Sequence, residues 1–230
     1  MKKILMILTS HSQMENTDSK TGVWLGEFTD PYYEFIDKSY EVTLASPKDG
    51  EPPIDAMSKL TENVTEANRR FQADDVAKFR FSNTLKLDTV IASDFDAVFF
   101  AGGHGPMWDL AANEISANLI LEFLASNKLV AAVCHGPAAF IKAAELKPGL
   151  LTNRKLTGFT NVEEVLTLRS DNIPYKLETR LKEFGADFRL GLIPFASHVE
   201  ADGLIITGQN PMSAGPTAKA LISTLEMPLG

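Results

Sequence analysis

The sequence predicts an α/β fold, a three-layer sandwich with a mainly parallel central sheet and helices on both faces. Three observations predict it. Short apolar runs alternate with helix-patterned segments for most of the 230 residues. The runs are near-continuously apolar, as parallel strands covered on both faces must be. Glycine-rich turns follow two of them, at 102–105 and at Gly136. Strand–helix alternation of this kind closes most economically into parallel βαβ units.

Taken in order, "KKILMILTS" (2–10) reads as a first buried strand. Its apolar part, Ile4 to Leu8, is shorter than the roughly 7–15 residues of a secretory signal core, so a strand is expected rather than a leader. "YEVTLASP" (40–47), "FDAVFFAGG" (95–103) and "KLVAAVC" (128–134) are further strands, with shorter ones at "RKLTGF" (154–159) and "GLIITG" (203–208). Helices are predicted at 31–39, where Pro31 fits a first-turn position, and at 113–127. The latter has an Asn113 cap and apolar residues at Ile115, Leu119, Ile120 and Phe123. Others follow at 136–146, 174–185 and 214–226. Residues 48–94 break the rhythm with a Pro-rich loop and a charged amphipathic helix over 65–81. The expectation is one domain spanning 1–230 with a helical and loop insertion around 48–94.

Composition narrows the function. No run of about 18 apolar residues is present, so no membrane partner is expected. A formal net charge of −8 argues against nucleic acid, whose phosphates call for clustered Lys and Arg. The single cysteine allows no intrachain disulfide and points to a reducing compartment, the cytoplasm.

That cysteine, Cys134, stands where "LVAAV" ends and the helix after Gly136-Pro137 begins. Ligands of open parallel sheets bind outside the strands' carboxyl ends. A thiol there lies beside a helix N-terminus that favours the thiolate. By position alone it is equally a packing thiol, since free cysteine is among the most buried residue types. His135 and Gly136, and a second glycine turn in "FFAGGHGPMWDL" (99–110), favour a nucleophile elbow. That second turn exposes backbone N–H groups fit for an oxyanion. It lacks Gly-Lys-Ser/Thr and Gly-x-Gly-x-x-Gly, so no nucleotide cofactor is expected, and indeed no cofactor of any kind. The four histidines (11, 104, 135, 198) are dispersed along the chain, and no metal is predicted.

"AGGHG" followed some thirty residues later by "AVCHGP" resembles the ThiJ/PfpI superfamily, relatives of class I glutamine amidotransferase domains. "GVWLGEFTDPYYEF" (22–35), "LTGFTNVEE" (156–164), "PYKLETRLKEFGADF" (174–188) and "DGLIITGQNPMSA" (202–214) resemble its chaperone and glutathione-independent glyoxalase branch, over nearly the whole chain. The resemblance implies a flavodoxin-like sandwich, a homodimer, a small 2-oxoaldehyde substrate and no cofactor. It implies Cys134 as nucleophile and His135 as triad histidine. Glu27 is the carboxylic acid at the sulfur, and the amides of Gly103 and His135 are oxyanion donors. Glu163 is the best match for the triad acid, with Glu164 adjacent. Without the resemblance, Glu27, Glu163 and Glu164 read as acids at helix starts. His198-x-Glu200 imitates the amidotransferase His-x-Glu. The residues around Cys134, Val133 and Ala138-Ala139, lack the glycine and glutamine of that elbow. Alternative functions are a holdase chaperone, a cysteine redox sensor, or a cysteine peptidase or amidase.

Overall fold

The computed structural model describes residues 1–14 and 17–227. Nine strands and nine α-helices are named below in chain order. They are β1 (Lys3–Ile7), α1 (Leu25–Asp37), β2 (Glu41–Ser46), α2 (Glu66–Ala73), α3 (Asp75–Ser82), β3 (Leu85–Lys86), β4 (Ala97–Phe100), α4 (Pro106–Asp109), α5 (Glu114–Ala125), β5 (Leu129–Val133), α6 (Ala139–Leu146), β6 (Lys155–Leu156), α7 (Asn161–Leu166), α8 (Leu177–Glu183), β7 (Asp187–Phe188), β8 (Val199–Asp202), β9 (Ile205–Gly208) and α9 (Ala214–Glu226).

The central sheet runs β3-β2-β1-β4-β5-β9-β8, and every pairing is parallel except β8 with β9. Strand order reverses between β1 and β4, so the carboxyl ends of β4 and β5 sit at and beside the switch point. The two-residue alternation of each strand feeds two separate cores. Leu5, Ile7, Val98, Phe100 and Val130 pack under α5 and α6, against Ile120, Phe123 and Phe140. Ile4, Met6, Phe99, Ala131 and Val133 pack under α1 and α9, against Phe28, Phe35 and Leu221. Helices therefore cover both faces, as the apolar runs predict.

Several local expectations change. α1 starts at Leu25, six residues before Pro31, so the proline lies inside the helix. It forfeits only the bond to the carbonyl four residues back, that of Glu27, and the buried face of Phe28, Tyr32 and Phe35 holds the helix through it. The predicted single helix over 65–81 is two, because Asp74 accepts from the Ala77 amide and caps a new start. The 48–94 segment also carries β3, which pairs with β2 at the sheet edge. The strand expected at 154–159 is the two-residue β6, in a separate pairing with β7. Asn113 caps α5 by accepting from the Ser116 amide, as read, but Ile115 is exposed. No helix among the described residues is long and apolar enough to cross a membrane.

Candidate active site

β5 ends at Val133, and the chain turns at once into the 3-10 turn Gly136–Ala138 and α6. Cys134 sits in that turn with φ of +59°, a region L-residues seldom occupy and which costs on the order of 1–3 kcal/mol. The strain is held from both sides: the Cys134 amide donates to the Gly208 carbonyl (2.9 Å), and its carbonyl accepts from the Phe159 amide (2.8 Å). Gly136 is obligatory here, since a Cβ would meet the Phe100 carbonyl oxygen at 2.5 Å. The strand-to-helix elbow expected at "VCHGP" is present.

His135, 1% exposed, turns its Nδ1 to the Cys134 sulfur at 3.3 Å. Its Nε2 lies 2.8 Å from Oε2 of Glu164, in the first turn of α7. Burial alone would raise the Glu164 carboxyl. The charge and N–H of His135, with the N–H of a second histidine, hold it well below the usual carboxylate range. That second histidine is His104, whose Nε2 lies 2.8 Å from the other oxygen, Oε1. The sequence reading missed it by treating the histidines as dispersed. The fold brings the His104 and His135 rings to 4.1 Å between centroids. The signal was available: His104 stands inside the glycine turn at the end of β4. Burial, then His135, depresses the His104 imidazole to about 4. His104, His135 and Glu164 place one donor atom each within 4.8 Å, and all three are already engaged with one another by hydrogen bonds.

Glu163, expected to be the acid on His135, does not reach it. Thr160 caps α7, and Glu163 closes the reciprocal box by accepting from the Thr160 amide (3.0 Å) and hydroxyl (2.9 Å). Its other oxygen accepts from the Phe195 amide (2.8 Å), Gln209 Nε2 (2.9 Å) and Asn210 Nδ2 (2.8 Å). Neighbours on a helix point about 100° apart, so one acid faces the histidines and the other latches three segments together.

Glu27 is fully buried in the first turn of α1, inside the helix rather than ahead of it. It faces the Cys134 thiol and the amides of Gly102 and Gly103, and burial raises its carboxyl to about 8 despite them. Neither oxygen has a hydrogen bond of regular geometry among the described residues. Gly102 must be glycine, because a Cβ would run into the Glu27 carboxyl and the Val133 carbonyl. Burial also pushes the Cys134 thiol up, and an ionised Glu27 would push it further. Near neutral pH Glu27 is protonated, which removes that repulsion. The Gly103 amide faces the sulfur and opposes the rise. Neither the Gly103 nor the His135 amide donates to a carbonyl among the described residues.

Cys134 and both histidines open on a cavity of about 460 Å³, walled largely by Trp24, Phe159, Leu166, Phe195 and Met212, with Arg169 as its cation. A wider groove of about 1160 Å³ shares Trp24, Asn63, Pro211 and Met212 with it but is lined by neither cysteine nor histidine. His198 Nε2 lies 3.1 Å from Glu200 Oε1 beside β8, without hydrogen-bond geometry, and the histidine at the sulfur is His135, so the amidotransferase-like pairing does not form around Cys134.

A thiol strained in a strand-to-helix elbow, backed by histidine and carboxylate at the sheet's switch point, defines an α/β protein with a cysteine elbow. The chain belongs to the DJ-1/PfpI family, whose model matches residues 19–224. It is 31% identical to the glutathione-independent glyoxalase HSP31 of Saccharomyces cerevisiae, over 98% of each chain. Identity to glyoxalase 3 of Candida albicans is 30%, over 98% of this chain and 99% of that one. Among solved structures, the rapid encystment protein of 24 kDa from Francisella tularensis superposes with a TM-score of 0.93 at 39% identity, covering 99% and 100% of the two chains. Glyoxalase III from Candida albicans gives 0.87 at 28% identity, with 98% of each chain covered.

Proposed function

We propose that this protein is a cysteine-dependent, glutathione-independent glyoxalase that converts methylglyoxal or a related 2-oxoaldehyde to a 2-hydroxy acid such as lactate, in cytoplasmic defence against carbonyl stress. The observation that carries the reading is the Cys134 elbow, with His135 Nδ1 at the sulfur and Glu164 behind the ring. The names of the relatives support the substrate class.

In this reading the Cys134 thiolate adds to the aldehyde carbon and forms a hemithioacetal, and the Gly103 and His135 amides receive the oxyanion. His135 removes the proton from that carbon and returns it to the neighbouring carbon through an enediol, which leaves a thioester. Water cleaves the thioester, releasing the hydroxy acid and the thiol. The protein sulfur does what glutathione does elsewhere, so no added thiol is consumed. Protonated Glu27 donates to the sulfur and offsets its burial. The chain works as one domain and as a homodimer.

The test is lactate formation from methylglyoxal by purified protein without glutathione, with Cys134→Ala as control. The parent is expected to turn over and the variant to be inactive; equal rates would refute the cysteine mechanism. A holdase reading draws on the exposed Leu168, Leu192 and Ile193, in the chain segments that also carry the cavity residues Arg169 and Phe195. It predicts that Cys134→Ala still suppresses aggregation of a heated client while the parent shows no turnover.

A further inference from the structure

The proposed reaction uses Cys134, His135 and Glu164, and leaves a buried arm on the far side of the carboxylate unexplained. His104 is 4% exposed and spends its Nε2 on Glu164 Oε1. Its Nδ1 lies 3.4 Å from Nη1 of Arg169. The same guanidinium nitrogen donates to Oδ2 of Asp55 at 2.7 Å, and Nη2 lies 3.4 Å from Oδ1. Asp55 is completely buried and also accepts from the Thr21 hydroxyl (3.2 Å) and the Met57 amide (2.9 Å). An unbroken line thus runs from Asp55 through Arg169 and His104 to Glu164, His135 and the thiol.

Donor chemistry fixes the direction of this line. A guanidinium has only donors, so Arg169 must donate to the His104 Nδ1, which then carries no proton. A neutral imidazole with an unprotonated Nδ1 is protonated at Nε2, the nitrogen facing Glu164. A proton added at Nδ1 would set two donors against each other at 3.4 Å. Glu164 therefore receives one N–H on each oxygen, from His104 and from His135.

We propose that His104 is a positioning residue for the triad carboxylate: locked by Arg169 as its Nε2–H tautomer, it shares Glu164 with His135, fixing the plane of the carboxylate and dividing its charge. Histidines backed by hydrogen-bonded carboxylates show how strongly such outer partners set orientation and basicity. The charged and titratable groups around His104 are Glu164 on α7, His135 in the elbow, and Arg169 with Asp55 behind it. Around His135 and the sulfur they are Cys134, Glu164, His104, Glu27 and Glu163. With the His104 donor removed, Glu164 has only His135 to serve. The thiolate–imidazolium pair then becomes more favourable, while the carboxylate loses its fixed plane.

This inference rests on the proposed Cys134–His135–Glu164 arrangement, but its tests need no aldehyde. Histidine ¹⁵N NMR of the full-length protein should show His104 as the neutral Nε2–H tautomer with no titration between pH 5 and 9. An Nδ1–H tautomer, or titration near the ordinary imidazole value, overturns the proposal without any variant. Next, the pH midpoint of Cys134 alkylation by iodoacetamide is compared between the parent, His104→Phe and His104→Gln. His104→Phe should move it down by about one unit, a tenfold change. His104→Gln, which can still donate to Glu164, should return it most of the way. A folded His104→Phe whose midpoint stays or rises overturns the proposal; if that variant does not fold, the tautomer measurement decides. A protein that passes both tests yet makes no lactate refutes the glyoxalase reading and leaves the His104 assignment standing.

Discussion

The first turns of α1 and α7 each send a buried carboxyl into the same site, Glu27 to the thiol and Glu164 to the histidines beside it, yet the two acids end in different charge states. Glu164 is 2% exposed and Glu27 is 0% exposed, so burial does not separate them. Partners do. Glu164 has an imidazole N–H on each oxygen and is held ionised. Glu27 has the sulfur and two glycine amides before it, no cation, and is lifted to about 8. Among buried acids, the number and charge of the donors decide the protonation state, and burial only raises the stakes. One site thereby keeps an ionised carboxylate behind the histidine and a neutral carboxyl beside the thiol.

The largest expected effect comes from removing the anion. Glu164→Gln keeps the shape but offers the histidines one acceptor and one donor in place of two acceptors. Methylglyoxal turnover should fall by roughly 10³-fold, within the usual range for losing a general base or its orienter. A loss below tenfold would mean that His135 needs no carboxylate.

Changing the neutral acid should act on reactivity and on stability with a distinct sign. Glu27→Gln replaces the acid O–H by the weaker amide N–H donor, so iodoacetamide alkylation near pH 7 should slow by up to about tenfold. For stability, the folded-state value of Glu27 is raised, so the folded protein binds more protons than the unfolded chain between the ordinary carboxylate range and about pH 8. Wild-type stability is therefore lost as pH rises through that window, by up to about 1.4 kcal/mol per unit. The advantage of Glu27→Gln in thermal melts should grow from pH 5 to 8 and then level off. Glu164 has the reverse linkage: it contributes stability above the ordinary carboxylate value that is lost as pH falls through its lowered one. A Glu27→Gln advantage that is flat with pH would show that Glu27 is ionised in the folded state.

Glu163 sharpens the contrast, because it is buried beside Glu164 but touches neither histidine. Glu163→Gln replaces a five-fold acceptor by an amide and should cost about 2–4 kcal/mol in urea unfolding. Alkylation of the folded variant should stay within about threefold of the parent. The smallest effect is expected at His198. Replacing it with alanine should leave the alkylation profile of Cys134 unchanged, whereas a large drop would revive the Glu200 pairing.

Most of the sheet is legible in the sequence because its central strands are covered on both faces and read as unbroken apolar runs. Cys134 and the glycine turns are legible for a related reason, since close backbone approach leaves room only for glycine. The exchange of Glu163 for Glu164 was not legible. Both are acids in a first turn, and which of them meets His135 depends on how Thr160 sets the phase of α7. His104 escaped because the distance between residues 104 and 135 closes only through the pairing of β4 with β5. The break of the 65–81 helix turned on one side chain, Asp74, that serves equally as a helix surface residue and as a cap.

The capping box at Thr160 has a consequence for how this segment can vary. Six residues of helix carry a latch and a triad acid on adjacent positions, and the box fixes the rotational zero of that short helix. A deletion or insertion of one residue between Thr160 and Glu164 would turn the helix by about 100° and carry one acid into the other's place while leaving its own without an acid, with composition and hydropathy almost unchanged. Arg169, just past the helix, must keep its own reach to Asp55 and His104. Length changes should therefore be ruinous anywhere from Thr160 through Arg169, making this short stretch a gauge of reading frame at the level of the fold.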